Sequence, residues 1–224
     1  MGPDATVDFM AKVISLTPAD KDQDHVHMLV DHNPQVPDRQ SAILADGENP
    51  GPELAAMASR LERAGADFLV IACNTAYAFE DAIVNAIDIP LISIIDVTVA
   101  AALEQDPAAV GVLATDGCLG AGMFQIALDR VGVESVLPSD AELSKLMDLI
   151  YRIKAGFQGE RVGRRMTALA MALVERGADA IIGGCTEIPL VLDQSALDVP
   201  LISSTDVLAQ ETVMLARGEK ALPG

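Results

Sequence analysis

Two cysteines sit in matching surroundings. Gly65-Ala66-Asp67 precedes Cys73 by eight residues, and Gly177-Ala178-Asp179 precedes Cys185 by eight. A threonine follows each thiol, Thr75 or Thr186. Pro-Leu-Ile-Ser then recurs at Pro90–Ser93 and Pro200–Ser203, with Asp96 and Asp206 each six residues after the proline. An isolated free cysteine is usually a small buried hydrophobe. Core cysteines do not duplicate together with their neighbours, so Cys73 and Cys185 are read as a functional pair. Cys118 has no counterpart and is read as core. A thiolate can remove a proton from carbon and a thiol can return one, so two thiols flanking one cleft make an acid/base pair.

What must position such a pair is legible on either side of each cysteine. Apolar runs lead in, Phe68–Ala72 and Ala180–Gly184, and polar residues able to open a helix lead out. Each thiol therefore belongs at the carboxyl end of a parallel strand, where α/β folds seat their ligands. Free N–H groups and the helix dipole at that place favour anions, which lowers a thiol pKa and offers a seat to a carboxylate. Gly183-Gly184 permits close backbone approach beside the second thiol. Along the whole chain β-branched runs alternate with helical stretches, the pattern of βα units. Strands are predicted at His25–Asp31, Phe68–Ala72, Leu91–Ile95, Val110–Ala114, Val133–Leu137, Ala180–Gly183 and Leu201–Ser203. Helices are predicted over Pro52–Ala64, Glu142–Ala155 and Val162–Arg176. The internal repeat implies two similar α/β domains, drawn at 1–97 with 208–224 and at 98–207.

The bulk properties narrow the function. A net charge of −18 excludes nucleic acid and anionic membrane as partners, since both call for a Lys/Arg surface. A few local cations suffice for a small acidic ligand. The longest apolar stretch, Pro90–Leu103, is interrupted by Asp96 and is too short to span a bilayer, so the expected location is cytoplasmic. Three widely spaced cysteines form neither a disulfide framework nor a zinc motif. His25, His27 and His32 cluster in sequence, but no Cys or carboxylate completes a metal motif with them, and they are read as surface or supporting residues.

The segments Ile71-Ala72-Cys73-Asn74-Thr75-Ala76 and Gly183-Gly184-Cys185-Thr186-Glu187-Ile188-Pro189-Leu190 resemble the paired signatures of the aspartate/glutamate racemase family. Asn33-Pro34-Gln35-Val36-Pro37-Asp38-Arg39, Leu113-Ala114-Thr115-Asp116-Gly117 and Tyr151-Arg152-Ile153-Lys154-Ala155-Gly156 extend the resemblance over essentially the whole chain. It implies two pseudo-symmetric Rossmann-like domains with parallel sheets, an interdomain cleft, no pyridoxal phosphate or other cofactor, and a homodimer. It also implies racemisation of a small acidic amino acid, aspartate first and glutamate next. Cys73 and Cys185 would be the acid/base pair, with Asn74, Thr75, Thr115 and Thr186 holding the α-carboxylate and amino group. Arg39 and Lys154 would take the side-chain carboxylate, which fits a planar guanidinium and an ammonium. Glu187 joins this set, either orienting the second thiol or capping a helix N-terminus. The chain departs from the family at Tyr77, where His is common, at Cys118 for Thr and at Phe124 for Tyr; the latter two are positions that would shift substrate preference.

Maleate isomerisation, hydantoin racemisation and arylmalonate decarboxylation would reuse such a cleft, and Arg39 with Lys154 speaks against hydantoins. A broad-specificity racemase or a non-catalytic amino-acid-binding protein of the same fold are the competing readings. The helix expected over Ala5–Leu16 has no strand before it, whereas the family places a short apolar strand and a glycine turn ahead of the Gly-Pro segment. An interior strand is thus expected to be missing from the first sheet, about 5–10 residues with its turn.

Overall fold

The computed structural model describes residues 2–223. Helix α1 (Pro3–Leu16) opens on proline, whose missing N–H costs nothing at a helix start. Then come α2 (Arg39–Leu44), α3 (Gly51–Arg63), α4 (Glu80–Val84) and α5 (Ile94–Leu103). The second half runs β1 (Ala109–Ala114), α6 (Asp116–Gly120), α7 (Met123–Arg130), β2 (Glu134–Val136), α8 (Asp140–Lys154), α9 (Glu160–Val174), β3 (Ala180–Gly184), β4 (Leu201–Ser203) and α10 (Ser204–Ala216). The four strands form one parallel sheet in the order β2-β1-β3-β4.

Both faces of this sheet are covered, as a parallel sheet requires. Alternate residues divide between two cores: Val110, Val112, Ala180 and Ile182 pack with α5, α7 and α10, whereas Leu113 and Ile181 pack with α8 and α9. Helix α8 starts on a reciprocal capping box between Ser139 and Glu142, a device typically contributing about 1 kcal/mol.

The duplicated sequence is duplicated in hydrogen bonding. Gly65 (φ +97°) and Gly177 (φ +99°) end α3 and α9 in the left-handed region, where a side chain would be strained. The N–H of Ala66 donates to Leu61 at 3.2 Å, and that of Ala178 to Leu173 at 3.2 Å. Four residues before each cysteine, Leu69 N–H donates to the Pro90 carbonyl at 2.8 Å and Ile181 N–H to that of Pro200 at 2.8 Å. Ser93 caps α5 by accepting from Asp96 N–H, and Ser203 caps α10 by accepting from Asp206 N–H.

The first half departs from the predicted strands. Leu91–Ile95 is not a strand: only Leu91 pairs, with Leu69, and the Ser93 cap turns Ile94 and Ile95 into helix α5. Phe68–Ala72 has that single bridge, and His25–Asp31 forms no strand. Elsewhere the predicted strands and helices hold within one or two residues. Ser203, placed last in a predicted strand, is where β4 does end.

Candidate functional site

Each cysteine ends an extended run. Cys73 precedes the helical turn Asn74–Phe79 and is half-buried, while Cys185 follows β3 and is buried. The carboxyl ends of these runs meet the start of α6, the end of α8 and the N-terminus of α2. A small pocket of about 10 Å³, room for roughly one water, lies between them. Cys73, Asn74, Thr75, Thr115, Lys154, Cys185, Thr186, Glu187 and Arg39 all line it, together with Gly2 and Gln40. Every residue singled out from the sequence as a site residue is therefore on this pocket.

The walls are held by buried hydrogen bonds. Asn74 Nδ2 donates to Ser204 Oγ at 3.0 Å, and Ser204 Oγ donates to the Gly183 carbonyl at 2.9 Å, which ties the Cys73 loop to the end of β3. Thr75 and Thr115 share a hydroxyl hydrogen bond at 2.9 Å, and Thr115 caps α6 by accepting from Cys118 N–H. Asn74 Oδ1 and Arg39 Nε are buried without a partner. Unsatisfied buried polar groups are costly, and both of these belong to residues that line the pocket.

Glu187 resolves one of the alternatives above. It occupies the N-cap position of the turn Ile188–Leu190, but its side chain makes no cap bond; Oε2 accepts from Cys185 Sγ at 2.9 Å and from Thr186 Oγ1 at 3.2 Å. Its other oxygen lies 4.0 Å from Lys154 Nζ. Burial, reinforced by the Glu187 carboxylate, pushes the Cys185 thiol well above its ordinary pKa, with Lys154 opposing. Lys154 itself is pushed down by burial and up by Glu187 and the two thiols, and the net direction is up, so it stays a cation. Arg39, 6% exposed, donates through Nη1 to the Val36 and Pro37 carbonyls at 3.3 and 3.0 Å.

The three departures from the family pattern lie outside the pocket. Tyr77 is buried, its hydroxyl donating to the Ile92 carbonyl at 2.6 Å and accepting from Ile71 N–H at 3.2 Å. It bridges the two extended runs of the first half where ladder bonds are few. Burial pushes its hydroxyl pKa up, so it holds no exchangeable charge. Cys118 and Phe124 are fully buried in the core, the ring of Phe124 lying under Gly184. Neither lines the pocket, so any influence on substrate preference would pass through the residues between. Among the described residues, no group of three His, Cys, Asp or Glu converges as a metal site, and no helix is long and apolar enough to cross a membrane.

Gly2 and Gln40 were not singled out from the sequence. Gly2 faces Glu187 so closely that a Cβ there would collide with its carboxylate, a constraint that sequence spacing does not carry. Gln40 follows Arg39 on α2, and both are buried, contrary to the usual exposure of such residues.

Comparison with known proteins places this geometry. The Asp/Glu/hydantoin racemase family model matches residues 1–212. The chain is 30% identical over 225 residues to the broad specificity amino-acid racemase RacX of Bacillus subtilis, covering 95% of this chain and 93% of that protein. It is 32% identical over 179 residues to glutamate racemase of Pseudomonas paraeruginosa, covering 73% of this chain and 65% of that enzyme. The structure of Picrophilus torridus aspartate racemase superposes with a TM-score of 0.86 at 26% identity, covering 99% of this chain and 92% of that one. With the family model matching residues 1–212 and the B. subtilis relative matching over 95% of this chain, the protein is an amino-acid racemase belonging to the Asp/Glu/hydantoin racemase family.

Proposed function

We propose that the chain racemises an acidic amino acid, aspartate foremost, by proton transfer at Cα between Cys73 and Cys185 without pyridoxal phosphate. The observation that carries this reading is that both duplicated cysteines line one pocket together with two cations, the buried Arg39 and the partly exposed Lys154. Cys185 rests as a thiol, because burial and Glu187 oppose its ionisation. In one direction the Cys73 thiolate takes the Cα proton, leaving a carbanion whose charge spreads into the α-carboxylate. The Cys185 thiol then supplies a proton to the other face, and the enzyme ends with a Cys73 thiol and a Cys185 thiolate. Lys154 and Arg39 receive the side-chain carboxylate, while Asn74, Thr75, Thr115 and Thr186 hold the α-carboxylate and amino group. The pocket has room for roughly one water, so it must widen to admit an amino acid; closing again around the substrate would strengthen these charge interactions by excluding water.

Exchange at Cα in deuterated water tests the reading, run with both enantiomers of aspartate, glutamate and alanine. Wild type is expected to exchange and interconvert acidic substrates. Cys73→Ser and Cys185→Ser are each expected to lose interconversion, since a hydroxyl of ordinary pKa cannot replace a thiolate base. Interconversion near the wild-type rate in either variant would refute the two-thiol mechanism. Binding of aspartate with no exchange would leave an amino-acid-binding protein. Similar rates across acidic and neutral substrates would favour broad specificity, the property named for the B. subtilis relative.

A further inference from the structure

Ser204, the first residue of α10, joins the two cysteine loops through one hydroxyl. Its Oγ donates to the carbonyl of Gly183, two residues before Cys185, at 2.9 Å. It accepts from Nδ2 of Asn74, the residue after Cys73, at 3.0 Å. Ser204 is 0% exposed and Asn74 2% exposed, so water does not compete for either bond. A hydroxyl has a single proton, and here it is spent on a carbonyl, which can only accept. Towards Asn74 the oxygen is therefore an acceptor, and the amide must turn its nitrogen to it. The Asn74 oxygen Oδ1 is left buried, without a partner among the described residues.

A serine at the start of a helix is ordinarily a cap. Here the cap is Ser203, whose side chain accepts from Asp206 N–H. The other half of the duplication shows what the next position needs for folding alone. Ser93 caps α5 as Ser203 caps α10, and the residue after it is Ile94, also 0% exposed and packed in the apolar core. The helix start thus forms around an aliphatic side chain, and the hydroxyl at 204 belongs to the second half alone.

Asn74 lines the pocket, and an acidic amino acid brings it one donor group, the α-ammonium, since both carboxylates only accept. We propose that Ser204 is a positioning residue, which fixes the Asn74 amide with Oδ1 as the atom left for substrate, so that Asn74 takes the α-ammonium. This assignment rests on the racemase reading above. The hydroxyl pair Thr75–Thr115 complements it. Of its two protons one lies in their shared bond at 2.9 Å, and the other is left to donate to the α-carboxylate. An amide turned the other way would set its N–H groups against the ammonium, donor against donor. The hydroxyl at 204 thereby makes the site select an amino acid over the same diacid without its amino group.

The test is a double-mutant cycle on the full chain: Ser204→Ala, Asn74→Ala and the pair. It compares the KM for L-aspartate with the inhibition constant of succinate, which has both carboxylates and no ammonium. Ser204→Ala is expected to raise the aspartate KM by at least about 10-fold, as loss of a hydrogen bond to a charged group does, and to move the succinate constant by less than about 2-fold. In the Asn74→Ala background the same substitution is expected to leave the ratio of the two constants unchanged, because Ser204 acts through Asn74. Equal losses for both ligands would make Ser204 a structural residue only, and an undiminished effect in the Asn74→Ala background would give it a role of its own; either overturns the proposal. NMR of the wild-type chain labelled at asparagine covers the case in which Ser204→Ala does not fold. L-Aspartate is expected to shift the Asn74 carbonyl carbon and to leave its two Nδ2 protons in place; the reverse pattern would overturn the proposal. No Cα exchange by wild type on acidic amino acids would overturn the racemase reading itself, whereas exchange with an unmoved ratio in Ser204→Ala overturns the positioning role alone.

Discussion

Arg39→Ala separates recognition of the side-chain carboxylate from everything else the site does. Arg39 is 6% exposed, and Nη1 is spent on the Val36 and Pro37 carbonyls. Nε is buried with no partner, so a ligand oxygen that reached it would satisfy it. Hydrogen bonds between ionised groups contribute about 1.5–3 kcal/mol each, and truncating one partner of a buried charged pair costs about 2–5 kcal/mol. At 1.36 kcal/mol per decade, kcat/KM for aspartate should fall by roughly 30- to 5,000-fold. Alanine has no second carboxylate and should lose little. The bonds from Nη1 to the loop carbonyls are lost for both substrates, at about 1 kcal/mol each, so they lower the melting temperature without moving the ratio. The assay is racemisation of L-aspartate and L-alanine by chiral chromatography, with thermal unfolding in parallel. Equal loss on both substrates would refute the assignment and move Arg39 to the α-carboxylate or to holding the loop. Lys154, already shared with Glu187 at 4.0 Å, should show a smaller ratio change on Lys154→Met.

Tyr77→Phe removes a hydroxyl bonded on both sides, to the Ile92 carbonyl and the Ile71 N–H, and should cost about 1–3 kcal/mol, or roughly 2–12 °C in melting temperature, with KM unchanged; an unaltered melting curve would refute the bridging role. At pH 8 iodoacetamide should modify Cys73 well before Cys185, because burial and Glu187 hold Cys185 protonated, and peptide mapping should show Cys185 labelling rise as pH climbs beyond the ordinary thiol range. Glu187→Gln removes the negative charge and should speed Cys185 labelling at pH 8; no change would assign the shift to burial alone. The same raised pKa lowers stability at alkaline pH, since the native thiol keeps a proton that the unfolded thiol has lost.

The placement of the pocket was legible because the repeat marked two equivalent strand ends, and a parallel sheet brings such ends to one edge. Which apolar runs become strands was not legible. Apolar periodicity reports burial, whereas a strand also needs a partner on its hydrogen-bonding edge. Phe68–Ala72 reads much like Ala180–Gly184, yet only the latter has neighbours on both edges. Leu91–Ile95 failed for a local reason. Ser93 caps a helix as Ser203 does, so ending the strand at the second serine of the repeat carried the rule that the first needed. Gln40 and Gly2 were missed because their place on the pocket depends on tertiary approach rather than on spacing.

The duplication that set out the backbone did not keep the two thiols equivalent. Cys73 is half-buried with no acidic partner, while Cys185 is buried and hydrogen-bonded to Glu187. The two enantiomers of an amino acid have equal free energy, so this asymmetry cannot bias the final mixture. It can only set which sulfur holds the proton at rest and how fast the protons are reset between turnovers. Glu187, between the buried thiol and Lys154, stands where it can influence that reset from the Cys185 side. A slow reset would show as a rate that saturates at high substrate concentration below the rate of Cα exchange, and Glu187→Gln should widen that gap without moving the equilibrium ratio.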